Sequence, residues 1–373
     1  MLSRSIVVQS LRSIRDRFFN TRRQRNDQSD AQDVPNHDVT GPSLDNLLVD
    51  MQFLIMTFLS PQDLCRLGGT STYWRSMVKD PVLWKYFLLR DMPLWQSVDH
   101  LSMPQVKLTG TSVLDDSEMQ QINYMAEYLR VCPACRNQWR CQPSSTFESV
   151  TSFFQSLVPV AEPQFAMFGP GLEQLEVSLM NKIMHSHDVL PIAGIPQRQI
   201  DGIGSGISFK YKDQHRFNII TLYSINRTER ERARLEQLSL RSKLFVYQED
   251  SECNMPLSLN PMFNEVCQAV NGFIFVANAE TKRGSNREWE EESAQIRVML
   301  DPLLGAVSQP ILVLSCVSRE TADRRRIPCV TVAYQLQLSS LCNPWMVQDT
   351  TAETLTGLLD GIDWLLRHSG VKL

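Results

Sequence analysis

The stretch from Ser43 to Arg90 constrains this chain most, because it is dense in Leu, Met, Phe and Trp and punctuated as a run of short helices. Leu47, Met51, Leu54, Ile55, Phe58 and Leu59 recur at three- and four-residue steps, which lays them on one helix face. Ser60-Pro61-Gln62-Asp63 then stops that helix and starts another: Ser60 can cap, Pro61 fits the first helical position, and Asp63 lies in the favourable first turn. Gly68-Gly69 is expected to end this second helix, and Thr70 or Ser71 to cap a third that carries Trp74, Met77 and Val78. Asp80-Pro81 repeats the device ahead of Val82, Leu83, Trp84, Phe87 and Leu88. So small a helical unit has too little interior to bury all these side chains. Leu47, Leu48, Phe53, Leu54, Phe58, Leu59 and Leu64 crowd one end. A surplus of this kind marks an interface; the plain alternative is packing against the rest of the chain.

The surroundings narrow the class. A chain of 373 residues implies two or three folded units. A net charge of -4 gives no overall pull toward nucleic acid or an anionic membrane, and no apolar run reaches the roughly 18 residues that span a bilayer. The nine cysteines are scattered, with Cys65, Cys267, Cys316 and Cys329 inside apolar segments, which fits reduced thiols in the cytosol or nucleus better than a disulfide frame. Before residue 26, Arg4, Arg12, Arg15, Arg17, Arg22, Arg23 and Arg25 face one acid, Asp16. That reads as a solvated basic arm or a partner-docking helix, with a mitochondrial presequence as the other option and no secretory apolar core. Residues 21–42 hold almost no large apolar group and read as a flexible linker. The expected division is therefore 1–42 arm and linker, 43–90 helical unit, 91–150 helical linker and 151–373 α/β domain. Within the linker, a helix is expected from Ser117 to Val131, followed by Cys132-Pro133-Ala134-Cys135 with Cys141 nearby. A lone CxxC is half a zinc site, and no second pair of ligands follows at the usual spacing.

From residue 151 onward, strand-like runs alternate with amphipathic helices. Strands are expected at Gln164–Phe168, Gly206–Tyr211, Phe217–Tyr223, Gly272–Ala277, Pro310–Cys316 and Cys329–Gln335. Helices are expected at Leu172–His185, Thr228–Leu240, Asn260–Val270, Arg287–Leu300 and Ala352–His368. This alternation indicates an α/β domain with a largely parallel sheet.

The N-terminal helical text resembles the F-box family: Leu54 to Cys65 (LIMTFLSPQDLC), then Tyr73-Trp74-Arg75, then Asp80-Pro81-Val82-Leu83-Trp84-Lys85, three pieces in the family's order. One departure is Leu47-Leu48, where the family opens with Leu-Pro. The resemblance implies docking to a Skp adaptor, and through it to cullin and RING subunits of a ubiquitin ligase, by Leu47, Leu48, Leu54, Ile55, Phe58, Leu59, Pro61, Leu64, Trp74 and Trp84. Further runs at Phe165–Glu173, Gly194–Gly206 and Gln348–Gly357 resemble one member of that family. That likeness implies a degenerate small-GTPase domain of Ras-like order behind the F-box. It also implies protein substrates such as a telomere-repeat-binding factor and D-type cyclins, marked for proteasomal degradation in the cytoplasm or nucleus. The whole would be an α+β multidomain adaptor with no catalytic residue, cofactor or metal of its own. Homodimerisation is left open.

A working GTPase would need GxxxxGK[ST] after the first strand. Counting from Gly169, the Gly-Lys-Ser/Thr positions hold Gln174, Leu175 and Glu176, so the cation is missing and a carboxylate stands where a Mg²⁺-binding hydroxyl belongs. Gly202, Gly204 and Gly206 precede a strand rather than a helix, which disfavours dinucleotide binding. A nucleotide-binding regulator remains the rival reading, and a zinc module on Cys132, Cys135 and Cys141 a third. Substrate is expected to add to an edge strand at Cys329–Ala333, with Cys329, Thr331 and Ala333 on one face. The alternative there is a strand covered by the last helix.

Overall fold

The computed structural model describes Leu44 and residues 47–105, 123–140, 162–194, 206–212, 215–223, 244–247, 257–280, 286–301, 308–320 and 326–370. The arm and linker before Leu44, the helix expected at Thr228–Leu240, Gly202, Gly204 and Cys141 lie outside them. The chain divides into two compact units, one of residues 1–92 and 104–136, the other of 93–103 and 137–373.

In the first unit the punctuation read from the sequence is realised. Helix α1 (Val49–Phe58) gives way to α2 (Pro61–Thr70), α3 (Thr72–Val78) and α4 (Pro81–Asp91). Ser60 Oγ accepts from Asp63 N at 3.2 Å, Ser71 Oγ from Trp74 N at 3.1 Å, and Asp80 Oδ1 from Val82 N at 2.8 Å. Each cap satisfies an amide that the helix start leaves without an intrahelical partner. Gly68 and Gly69 do not end α2 but lie in its last turn, where Gly68 faces the Val78 side chain of α3. Helix α5 (Tyr124–Val131), the end of the one expected from Ser117, packs Tyr128 against Trp84 and Phe87 of α4, with ring centroids 5.5 and 6.3 Å apart.

The second unit is a mixed α/β sheet. Its strands are β1 (Ser97–Asp99), β2 (Gln164–Phe168), β3 (Ile192–Gly194), β4 (Gly206–Tyr211), β5 (His215–Thr221), β8 (Gly272–Asn278), β9 (Ile311–Val317) and β10 (Trp345–Thr351). They lie in the order β1-β10-β9-β8-β2-β5-β4-β3. A separate antiparallel pair joins β6 (Phe245–Tyr247) to β7 (Leu257–Leu259). Strands β5, β2, β8, β9 and β10 are mutually parallel, while β4 runs antiparallel to β5. Without β1 and β3, this is the Ras-like order: the first strand is central, the second and third lie to one side, and the rest lie to the other. Strand β9 is buried along its whole length, as a strand covered on both faces must be. One face carries Phe165, Met167, Ile274, Val276, Leu312 and Leu314 beneath α8 (Leu179–His185) and α12 (Leu358–His368); α9 (Asn264–Ala269) and α10 (Asn286–Met299) come between them in the chain.

Three expectations are corrected. Cys329–Gln335 is a helix, α11, not a strand. Cys329, Val330, Val332 and Ala333 are buried in the i, i+1, i+3, i+4 pattern of a helix face, so apolar spacing outweighed the β-branched composition. The last strand is instead β10, whose buried Gln348, Thr350 and Thr351 disguise it as a polar loop. The third concerns 91–150, expected to be mixed and read as a helical linker. Within it, Ser97–Asp99 forms β1, antiparallel to β10 with Val98 opposite Val347. Among the described residues no helix is long and apolar enough to cross a membrane.

Candidate functional site: an apolar face on the helical unit

Helix α1 has two apolar faces. Phe53 and Met56 point inward with the buried amide of Gln52. Met51, Leu54 and Phe58 point out, three or four residues apart, and Phe58 is 82% exposed. Leu47 and Leu48 extend the exposed face at the helix entry, with Leu48 74% exposed. A helix apolar all round belongs in an interior, and among the described residues nothing covers the outer side of α1. Ile55, Leu59 and Pro61 are half-buried beside the stripe.

The entry is held without the family's proline. Leu48 adopts φ -56°, within the range a proline ring would impose. Gln52 Nε2 donates to Leu44 O at 3.1 Å and Leu47 O at 3.2 Å, while its Oε1 accepts from Tyr73 Oη at 2.5 Å. One buried amide thus ties the entry segment, α1 and α3 together. At the other end of α1, Arg90 Nη1 donates to Thr57 O at 2.8 Å, placing a cation where the helix carbonyls concentrate negative charge.

Of the residues expected to meet the adaptor, Leu47, Leu48, Leu54 and Phe58 share this exposed face. Leu64, Trp74 and Trp84 do not: all three are buried within the chain, and Trp84 Nε1 donates to Val78 O at 2.6 Å. Their place in the motif reflects the unit's own core. Met51 completes the stripe; its helical spacing was the sequence signal for it.

The residues expected to hold substrate are not on an edge. Cys329 and Ala333 are buried in α11, and Cys329 Sγ donates to Trp95 O at 3.1 Å. Strand β1 covers β10, and its own outer edge is blunted. Asp349 N donates to Gln96 O and His100 N to Trp345 O, which turns the backbone of Ser97 and Asp99 outward. There Asp99 N donates to Ser102 Oγ at 2.9 Å and Asp99 O accepts from Ser102 N at 2.9 Å, so a turn closes most of the edge.

At the carboxyl ends of the parallel strands, where open α/β sheets bind ligands, the protein fills the crevice with its own groups. After β2 the chain closes into one helical turn, α7 (Gly171–Gln174). Leu172 N donates to Gly169 O, Glu173 N and Gln174 N to Pro170 O, and Glu176 N to Ser318 Oγ, so these amides already have partners within the chain. Leu172 and Leu175 drop into the core. Around them, Arg319 pairs with Glu176 and Glu353, and Arg326 with Asp349 and Glu320. Burial pushes the Asp349 carboxyl up to about 6, opposed by Arg326 beside it.

Comparison with known proteins completes the picture. The F-box-like family model matches residues 49–90. F-box only protein 4 of Bos taurus is 48% identical over 89% of this chain and 85% of its own length. The Mus musculus protein is 47% identical over 87% and 84%, and the Homo sapiens protein 46% over 89% and 85%. The chain belongs to the F-box only protein 4 family. In this family member, the matched F-box is the run of helices that bears the exposed stripe. A solved small GTPase, Arl6 BBS3 of Trypanosoma brucei with bound GppNp, aligns with 56% of this chain and 98% of its own at 14% identity and a TM-score of 0.32.

Proposed function

We propose that this chain is the substrate-recognition subunit of a Skp-cullin-F-box ubiquitin ligase. The helical unit docks the Skp adaptor through Leu47, Leu48, Met51, Leu54 and Phe58, and the sheet unit carries substrate recognition. The observation that carries this reading is Phe58, held almost bare to solvent on a helix whose opposite face is core. A partner that buried the stripe would gain roughly 1.5–3 kcal/mol for each large side chain removed from water. Ubiquitin transfer then belongs to other subunits, and this chain acts as a non-catalytic adaptor. The resemblance supports a telomere-repeat-binding factor and D-type cyclins as substrates, destined for proteasomal degradation, with action in the cytoplasm and also the nucleus.

The rival reading, a nucleotide-binding regulator, is disfavoured by the occupied amides after β2 and the carboxylates ranged around them, which repel a triphosphate. Reconstitution tests the proposal. The chain should co-elute with purified Skp adaptor and cullin and should give no saturable signal with Mg²⁺-GTP. Failure to co-elute, or micromolar nucleotide binding, would reject it.

A further inference from the structure

We propose that Cys132 and Cys135 form a reversible dithiol–disulfide pair, a site of oxidative modification on the helical unit. Cys132 follows α5 in extended conformation, φ -61° and ψ 122°, and directly precedes helix α6 (Pro133–Arg140). It therefore stands at the N-cap of α6, with Pro133 in the first helical position and Cys135 in the third. Cys135 N and Arg136 N both donate to Cys132 O at 3.1 Å, which fixes that turn. The N-cap and N3 side chains of a helix lie close together, each within reach of the other residue's backbone amide, the relation on which the capping box depends. Here both are thiols, and Cys132 is among the neighbours that push the Cys135 thiol up. Cys132 is buried and Cys135 half-buried, so Cys135 is the more accessible of the two.

A metal would need more ligands. Among the described residues no group of three or more His, Cys, Asp or Glu side chains is placed to hold an ion. Exchange with a small disulfide such as oxidised glutathione needs only these two sulfurs. The Cys135 thiolate attacks one glutathione sulfur, forming a mixed disulfide and releasing one glutathione thiolate. The Cys132 thiolate then attacks Cys135 Sγ, closing the intramolecular bond and releasing the second glutathione. Two protein thiols are oxidised and one glutathione disulfide is reduced to two thiols. Burial and the neighbouring Cys132 push the Cys135 thiol up to about 12. The reactive thiolate is therefore scarce near neutrality, and the rate should climb about tenfold per pH unit between pH 7 and 8.5.

The test incubates the full-length protein with oxidised glutathione, alkylates the remaining thiols and maps the peptides by mass spectrometry. The expected product is a Cys132–Cys135 cross-link, 2 Da lighter than the reduced pair, reversed by dithiothreitol and absent from Cys132→Ser and Cys135→Ser. In Cys132→Ser, the mixed glutathione adduct on Cys135 should persist. A Cys65–Cys135 cross-link would overturn the proposal. So would a lasting adduct on Cys135 of the unsubstituted protein, zinc released from both cysteines on denaturation, or a rate flat between pH 7 and 8.5.

Discussion

Replacing Phe58 with alanine separates docking from folding. Phe58 is 82% exposed, so the folded unit gains little from its ring, and surface changes of this kind usually shift stability by no more than about 0.5 kcal/mol. A partner covering α1 would bury that ring. Full burial of a phenylalanine is worth roughly 1.5–3 kcal/mol. Loss of about 2 kcal/mol weakens binding roughly 30-fold, since each 1.4 kcal/mol is about a factor of ten. Isothermal titration of purified Skp adaptor into wild type and Phe58→Ala, beside thermal melts of both proteins, reads the two quantities separately. An unchanged Kd would refute the assignment of this face. A melting temperature several degrees lower would refute the claim that Phe58 stands outside the core.

Trp84→Ala should do the reverse in melts: it removes a fully buried indole and its bond to Val78 O, at a cost of about 3–5 kcal/mol, and the helical unit should lose its cooperative thermal transition. Gly357→Ala should destabilise the sheet unit, because φ is +81° there and an added Cβ would sit 2.0 Å from Asp349 O; a denaturant midpoint equal to wild type would contradict this. The raised Asp349 carboxyl sets a pH dependence. Its folded pKa of about 6 lies above the ordinary 3.8, so the native state holds the proton more tightly and this group's contribution falls as pH rises from about 4 to 6. The effect is at most about 3 kcal/mol, and Asp349→Asn should flatten that part of the stability–pH curve measured by urea unfolding; an unaltered slope would show that another group titrates there.

Much of this architecture is legible in the sequence. Caps at Ser60, Ser71 and Asp80 are local chemistry, written in residues two or three apart, and the helices start where they say. Central strands such as β2 and β8 betray themselves by continuous apolar text that only two-sided burial explains. Local rules failed where a distant partner decides. Nothing within Ser97–Asp99 announces that it will pair with a strand some 250 residues away, and Gln348 and Thr350 look like loop residues until their neighbours cover them. In Cys329–Gln335 composition and spacing disagreed, and spacing prevailed. The docking face was partly legible for a related reason: periodicity shows that α1 has two apolar sides, but only the packing shows that Trp74, Trp84 and Leu64 turn inward while Met51 and Phe58 do not.

Calorimetric titration of the wild-type chain with purified Skp adaptor at two temperatures tests the central claim most directly. The account predicts saturable one-to-one binding whose enthalpy grows more negative on warming, the heat-capacity mark of apolar surface leaving water. The absence of binding at micromolar concentrations, or binding with no temperature dependence of its enthalpy, would contradict it.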